Sequence, residues 1–208
     1  LTSSVVHSIP SLNGPTGLIT IPTAESLKYK EFNVGFDYMA NEYKDNDLWK
    51  YKFNIGTFKS WELGIVGGKE PSEGVYLNAK YYLLSDNSRY PLSVAIGSEN
   101  LSSKSETSVY MVASKKFQEG FDAHFGFKAI FADTELDPTI MFGLEYFVND
   151  EWSIMGDIDG QSQTYMFNIG TAYHVTNHFI LKGAVVDVFG EQPEGSFYTF
   201  GMTYSKFI

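Results

Sequence analysis

Alternation of large apolar residues with small or polar ones, sustained over most of the 208 residues, restricts this chain more than any other feature. Phe32, Val34, Phe36 and Tyr38 are separated by Asn33, Gly35 and Asp37. A period of two puts each set on its own face of a β-strand. The pattern recurs around Trp49 to Ile55, Trp61 to Ile65, Val75 to Leu83, Tyr90 to Ile96, Phe121 to Phe127, Ile140 to Tyr146, Trp152 to Ile158, Tyr165 to Tyr173, Phe179 to Val185 and Tyr198 to Tyr204. It is weaker over 105 to 117, where Val109 and Met111 compete with Tyr110 and Val112 for the apolar face. The reading is all-β, with about twelve strands and a range of 10 to 14.

A soluble barrel points its large apolar residues inward, whereas a membrane barrel turns them toward lipid around a polar interior. Alternation alone does not separate the two. Connection lengths favour the membrane form: those near 41–47, 69–74, 99–106, 132–137 and 189–195 are longer, and those at 59–60, 85–89, 118–120, 149–151 and 174–178 are shorter. The connection at 159–163 is brief where a long one is due. Short turns on one rim and longer loops on the other are the habit of outer-membrane barrels. An aromatic opens the strand after each short turn, and with Phe32 the series Trp61, Tyr90, Phe121, Trp152 and Phe179 is spaced by 29, 29, 31, 31 and 27 residues. Such a ring at one height fits an interfacial aromatic girdle; in a soluble all-β protein the same aromatics would pin hairpin register.

Charge is sorted along the same axis. The longer connections and 159–163 hold thirteen acids (Glu42, Asp45, Asp47, Glu70, Glu73, Glu99, Glu106, Asp133, Glu135, Asp137, Asp159, Glu191, Glu194) against Lys44, Lys69 and Lys104. They are either solvated loop residues or contacts for divalent cations at an anionic glycolipid surface. The whole chain carries a net charge of −10 with no Lys/Arg cluster longer than two adjacent residues, which argues against nucleic acid as a partner. The absence of Cys removes thiolate metal sites and thiol chemistry. No run reaches the ~20 apolar residues of a membrane helix. The first residue is Leu1 with no basic and apolar leader after it, so a secretion signal is expected to be removed or never present.

With the large apolar residues outward, the lumen is predicted to hold the acids Asp37, Glu62, Asp122, Glu145 and Asp157, the bases Lys50, Lys52, Lys80, Lys128 and Lys182, and His124. Five acids against five bases suit a salt-bridged, hydrated interior more than a strongly ion-selective channel. Gly35, Gly56, Gly64, Gly97, Gly126, Gly143, Gly170 and Gly201 share the inward parity, either easing strand curvature or leaving room for a plug. Residues 1–30 stand outside the hairpin repeat and form an N-terminal segment, with 31–208 as the barrel. Thr16, Gly17, Leu18, Ile19, Thr20, Ile21 and Pro22 are the candidate plug, a short first strand being the competing possibility. A thirteenth strand would give an odd count, disfavoured in bacterial barrels.

The run Gly14-Pro-Thr-Gly-Leu-Ile-Thr-Ile-Pro-Thr-Ala24, followed by an amphipathic strand, resembles the N-terminal signature of YjbH-like outer-membrane proteins. That resemblance implies an outer-membrane barrel and a link to exopolysaccharide production or export. The last strand, with aromatics at Tyr198, Phe200 and Tyr204 and an end at Phe207-Ile208, resembles the C-terminal signal read by barrel-assembly machinery.

Catalytic constellations are missing. There is no Gly-x-Ser-x-Gly, His-Glu-x-x-His or phosphate-loop motif. Asp122 and His124 share a strand face and could form an acid-oriented base, but no nucleophile is placed beside them by sequence. Asp157 and Asp159, also on one face, offer too few oxygens for a calcium site by themselves. His174 and His178 flank a turn rather than ride a helix, so their spacing carries little weight as a metal site. We expect no enzyme, catalytic residue, metal or cofactor. The expected protein is an outer-membrane barrel, either a narrow passive pore or a structural subunit anchoring an envelope assembly. Its partners would be outer-membrane lipid and other envelope proteins meeting the N-terminal segment or the outer barrel face. The rival is a soluble small-molecule or lipid carrier with an apolar interior.

Overall fold

A computed structural model of the chain describes residues 9–41, 47–58, 60–69, 74–85, 91–117, 120–132, 135–161, 164–192 and 195–208. Among these, twelve antiparallel strands close into one barrel: β1 (Glu31–Asn41), β2 (Leu48–Thr57), β3 (Trp61–Gly68), β4 (Tyr76–Leu84), β5 (Ser93–Glu99), β6 (Glu106–Phe117), β7 (Phe121–Ala132), β8 (Glu135–Phe147), β9 (Trp152–Gln161), β10 (Thr164–His174), β11 (Phe179–Val186) and β12 (Phe197–Phe207). Each strand pairs with its sequence neighbours, and β1 pairs with β12 from Glu31↔Phe207 to Asn41↔Phe197. Closure leaves no open edge, so every strand finds ladder partners on both sides. No helix among the described residues is long and apolar enough to cross a membrane.

The two faces follow the sequence parity. In β1, Glu31, Asn33, Asp37 and Met39 are buried while Val34, Phe36 and Tyr38 are exposed. The doubtful stretch resolves as β6 with Val109 and Met111 outward and Ser108, Tyr110, Val112 and Ser114 inward. Tyr110 is tolerated inside because a glycine faces it: a Cβ on Gly97 would run into the Tyr110 ring.

Connection lengths differ from the sequence expectation by three residues or more in four places, among them 159–163, which shrinks to 162–163, and 189–195, which widens to 187–196. β7 and β8 extend to Ala132 and from Glu135, so the connection expected over 132–137 shrinks to 133–134. On the opposite rim β5 begins only at Ser93, so that connection covers 85–92. A strand pair whose alternation continues past the polar residues, as Leu136 and Ile140 do, holds its ladder regardless of those residues' turn propensity. The turn rim, where residues 28–30 lead into β1, holds the connections 58–60, 85–92, 118–120, 148–151 and 175–178. The loop rim holds 42–47, 69–75, 100–105, 133–134, 162–163 and 187–196.

Candidate functional site

The lumen is filled by the chain's own residues 9–27. Leu12, Leu18, Ile19, Ile21 and Ala24 are buried, with Ile19 and Ile21 fully shielded. The segment is a compact pair of reversals rather than a strand, so the competing reading of a short first strand is not what forms. Pro10, Pro15 and Pro22 donate no hydrogen bond, and Gly14 sits at φ 113°, a backbone state that suits glycine. The coil is closed by Ser11 N–H to Pro15 O (2.8 Å), Leu12 N–H to Ile19 O (2.8 Å), Gly17 N–H to Ile9 O (2.8 Å) and Leu18 N–H to Ile21 O (3.0 Å).

A coil enclosed in this way leaves backbone groups that its own turns do not satisfy, and buried backbone groups need partners. The lumen charges supply them by sign. Asp157 accepts from the N–H groups of Ile19 (2.9 Å), Thr20 (2.9 Å) and Ile21 (3.3 Å) and from Thr20 Oγ1 (3.1 Å). Glu62 accepts from Thr16 N–H and Thr16 Oγ1 (2.8 Å each) and from Leu27 N–H (3.0 Å). Lysines take the carbonyls: Lys52 donates to Ser11 O (2.8 Å), Lys80 to Thr16 O (2.9 Å) and Lys182 to Pro10 O (3.0 Å). Asn54 donates to Gly14 O (2.9 Å) and Asn78 to Asn13 O (3.1 Å), while Ser114 Oγ accepts from Ala24 N–H (2.8 Å).

Half of the ten charges predicted for the lumen, Glu62, Asp157, Lys52, Lys80 and Lys182, thus hydrogen-bond the plug's backbone, a role that the expected salt-bridged, hydrated interior did not include. Direct ion pairs join Lys52 to Asp37 and Lys80 to Glu62 (3.6 Å). Lys128 is clasped by Asp159 (2.8 Å) and Glu99 (3.5 Å), two acids assigned by sequence to the loop rim but buried in the lumen. Both lie on the inward parity, Glu99 two residues beyond Gly97 and Asp159 two beyond Asp157, and that signal could have found them. Asp157 is thus engaged by the plug and Asp159 by Lys128. Lys50 faces inward near the loop rim and is half-buried.

The inward glycines make room for two kinds of neighbour, the plug and the wall's own side chains and strands. A Cβ on Gly143 would meet Leu18 Cδ1 at 2.6 Å and Ile21 Cδ1 at 2.8 Å, one on Gly56 the carbonyl carbon of Lys28 at 2.6 Å, and one on Gly35 Pro10 Cγ at 3.1 Å. A Cβ on Gly170 would meet the wall's Ala184 Cβ and Gly183 O at 2.8 Å and Ile19 Cδ1 at 3.2 Å. Gly143, Gly56 and Gly35 make room for the N-terminal segment and Gly170 for segment and wall, whereas Gly64, Gly97, Gly126 and Gly201 make room for wall side chains and strands.

Toward the turn rim lie Asp122, His124 and Glu145. His124 Nδ1 is 2.7 Å from Ser114 Oγ, a partner that sequence reasoning missed because it sits on the neighbouring strand. Ser114 is buried and holds Ala24, so the pair pins the plug rather than presenting a nucleophile. Outside, Phe32, Trp61, Phe121, Trp152 and Phe179 each stand on the outward parity at the turn-rim end of a strand; Tyr90 lies outside the described residues. Trp61 packs on Tyr81 (4.9 Å between ring centres) and Trp152 on Tyr173 (4.6 Å).

The barrel is similar to solved outer-membrane structures. The KdgM porin superposes with a TM-score of 0.63 at 11% identity, over 83% of this chain and 98% of that one. Omp33 of Acinetobacter baumannii gives 0.55 at 11% identity (86% and 99% covered), and the NanC porin 0.53 at 10% identity (85% and 99%). The fold is the outer-membrane porin barrel. No protein-family model and no curated protein matches the sequence.

Proposed function

We propose that this chain is a bacterial outer-membrane barrel held closed by its own N-terminal segment, acting as a membrane-embedded subunit of an envelope assembly. The observation that carries this reading is the pinning of residues 16–27 by Glu62 and Asp157, both 1% exposed, which accept from five backbone N–H groups and two hydroxyls of the segment. Localisation rests on polarity: Phe36, Trp49, Phe125, Phe142 and Phe200 are exposed outside while Lys52, Glu62, Lys80 and Asp157 are buried inside. A soluble carrier would reverse that order. The segment that fills the lumen is also the one resembling the YjbH-like signature, which supports a place beside exopolysaccharide export.

A narrow passive pore is the second reading, favoured by the likeness to porins. Recording from the intact refolded chain in a planar bilayer separates the two. We expect heat-modifiable migration on gels together with current at the baseline. Steady conductance from the intact chain would overturn the closed reading and leave the passive pore.

A further inference from the structure

At the turn rim the barrel seam joins an aromatic row to a group of lysines that the plug does not use. Tyr204 lies between His178 (6.1 Å between ring centres) and Phe32 (6.3 Å), and Phe32 stacks on Phe53 (6.2 Å). The row therefore runs from the turn before β11 across β12 and β1 to β2 on the outer face, where Tyr204 and Phe53 are exposed. Lys206 stands directly opposite Phe32 in the β1–β12 register. Two residues before Phe32 comes Lys30, fixed by its N–H to Gly56 O and by Ile208 N–H to its own carbonyl (2.9 Å each), with its ammonium 5.5 Å from the centre of the Tyr29 ring. Lys28 begins the same turn, and all three lysine side chains are exposed. None of them forms an ion pair with a described residue. The acid nearest in sequence, Glu31, is buried and accepts from Lys28 N–H (2.9 Å). The exposed acids described on this rim, Asp150 and Glu151, belong to the β8–β9 turn, four strands away round the barrel.

We propose that this seam binds an anionic phospholipid of the leaflet at the turn rim, with its phosphate among Lys28, Lys30 and Lys206 and its glycerol and upper acyl chains against the Tyr204–Phe32–Phe53 row. The inference rests on the membrane reading of the barrel, which brings lipid to this face. Interfacial aromatics sit at headgroup level. Lys206 and Lys30 lie beside the row and toward its rim side, at the depth where lipid phosphates are met. Three cations without an acid partner attract a headgroup of net negative charge, whereas a zwitterionic headgroup brings its own cation to the same place. Tyr29 and Phe58, at this end of β1 and β2, are 61% and 79% exposed and extend the apolar contact beyond the row.

The test is mass spectrometry of the intact chain released from detergent micelles that hold equal amounts of phosphatidylglycerol and phosphatidylcholine. Phosphatidylglycerol should be retained over phosphatidylcholine by at least about tenfold, a preference that weakens as the electrolyte is raised. At about fivefold for each lysine near a charged surface, Lys28→Gln/Lys30→Asn/Lys206→Gln should lose that preference. Asn is used at 30 because Lys30 holds φ 66°, a left-handed state that Asn tolerates. Lys115→Gln, on the outward face of β6, should keep the preference of the parent. Heat-modifiable migration establishes that the variant is folded, and Lys206→Gln alone, with a loss of about fivefold, serves if the triple variant is not. Equal retention of the two lipids would leave a membrane barrel and overturn the proposal. So would an undiminished preference in the folded variant, an equal loss in Lys115→Gln, or displacement of the lipid by millimolar inorganic phosphate. Retention of neither lipid by a chain that stays soluble without detergent would overturn the membrane reading and the proposal with it.

Discussion

Removing residues 1–27 is expected to turn a silent barrel into a conducting one, raising single-channel current from baseline to a steady open level, an increase of at least about tenfold. The wall should survive the deletion. Its twelve strands close on one another without using the segment, through the β1–β12 pairing. The side chains that lose plug partners (Lys52, Lys80, Lys182, Glu62, Asp157) would then face water entering the lumen and recover hydration in place of hydrogen bonds. Residues 28–30 are best retained, since Lys30 O accepts from Ile208 N–H and Lys28 O from Glu31 N–H at the barrel seam. Recordings of the parent and the truncated chain under one salt condition check this. A truncated barrel that migrates as folded yet stays silent would mean that something other than the segment closes the lumen.

The second large effect is expected from Asp157→Ala. Its carboxylate gathers three consecutive backbone N–H groups and the Thr20 hydroxyl, and it accepts from Asn168 Nδ2 (2.7 Å) as well. Alanine would strand those donors in a site 1% exposed. At about 1–3 kcal/mol for each buried donor left unpaired, and allowing for relaxation, the seating of the plug should weaken by about 3–6 kcal/mol. Glu62→Ala should act similarly through Thr16 and Leu27, and Asp157→Asn more mildly because one acceptor oxygen remains. Native-state proteolysis should cut residues 9–27 in Asp157→Ala at least about tenfold faster than in the parent. Equal resistance in parent and variant would show that Asp157 does not hold the segment.

The barrel was legible because parity is a local signal: each strand announces its two faces within a few residues, and Phe36 against Asp37 needs no knowledge of its partners. What those faces meet was less legible. Glu99 and Asp159 read as loop acids because polar residues surround them in sequence, and only the pairing of β5, β6, β7, β8 and β9 brings both to Lys128. The plug's location could be suspected from two prolines and the broken repeat, but its contacts span separations such as 138 residues between Ile19 and Asp157. No spacing rule encodes such a bond. Asn54, Asn78 and Asn168 alternate with aromatics like any inward polar residue, and nothing nearby in the chain tells that they hold the segment. Strand ends were missed where alternation outlasted turn residues, as at Glu135 to Ile140.

The central claim, that residues 9–27 occupy the lumen, is tested most directly by thiol labelling, since the chain has no cysteine of its own. In Ile19→Cys, at a fully buried position, a bulky impermeant maleimide should fail to react in folded, bilayer-inserted protein and react after denaturation. Asn177→Cys, on the exposed 175–178 turn, should react at once in both states. Labelling of Ile19→Cys in the folded protein as fast as Asn177→Cys would contradict the plugged lumen.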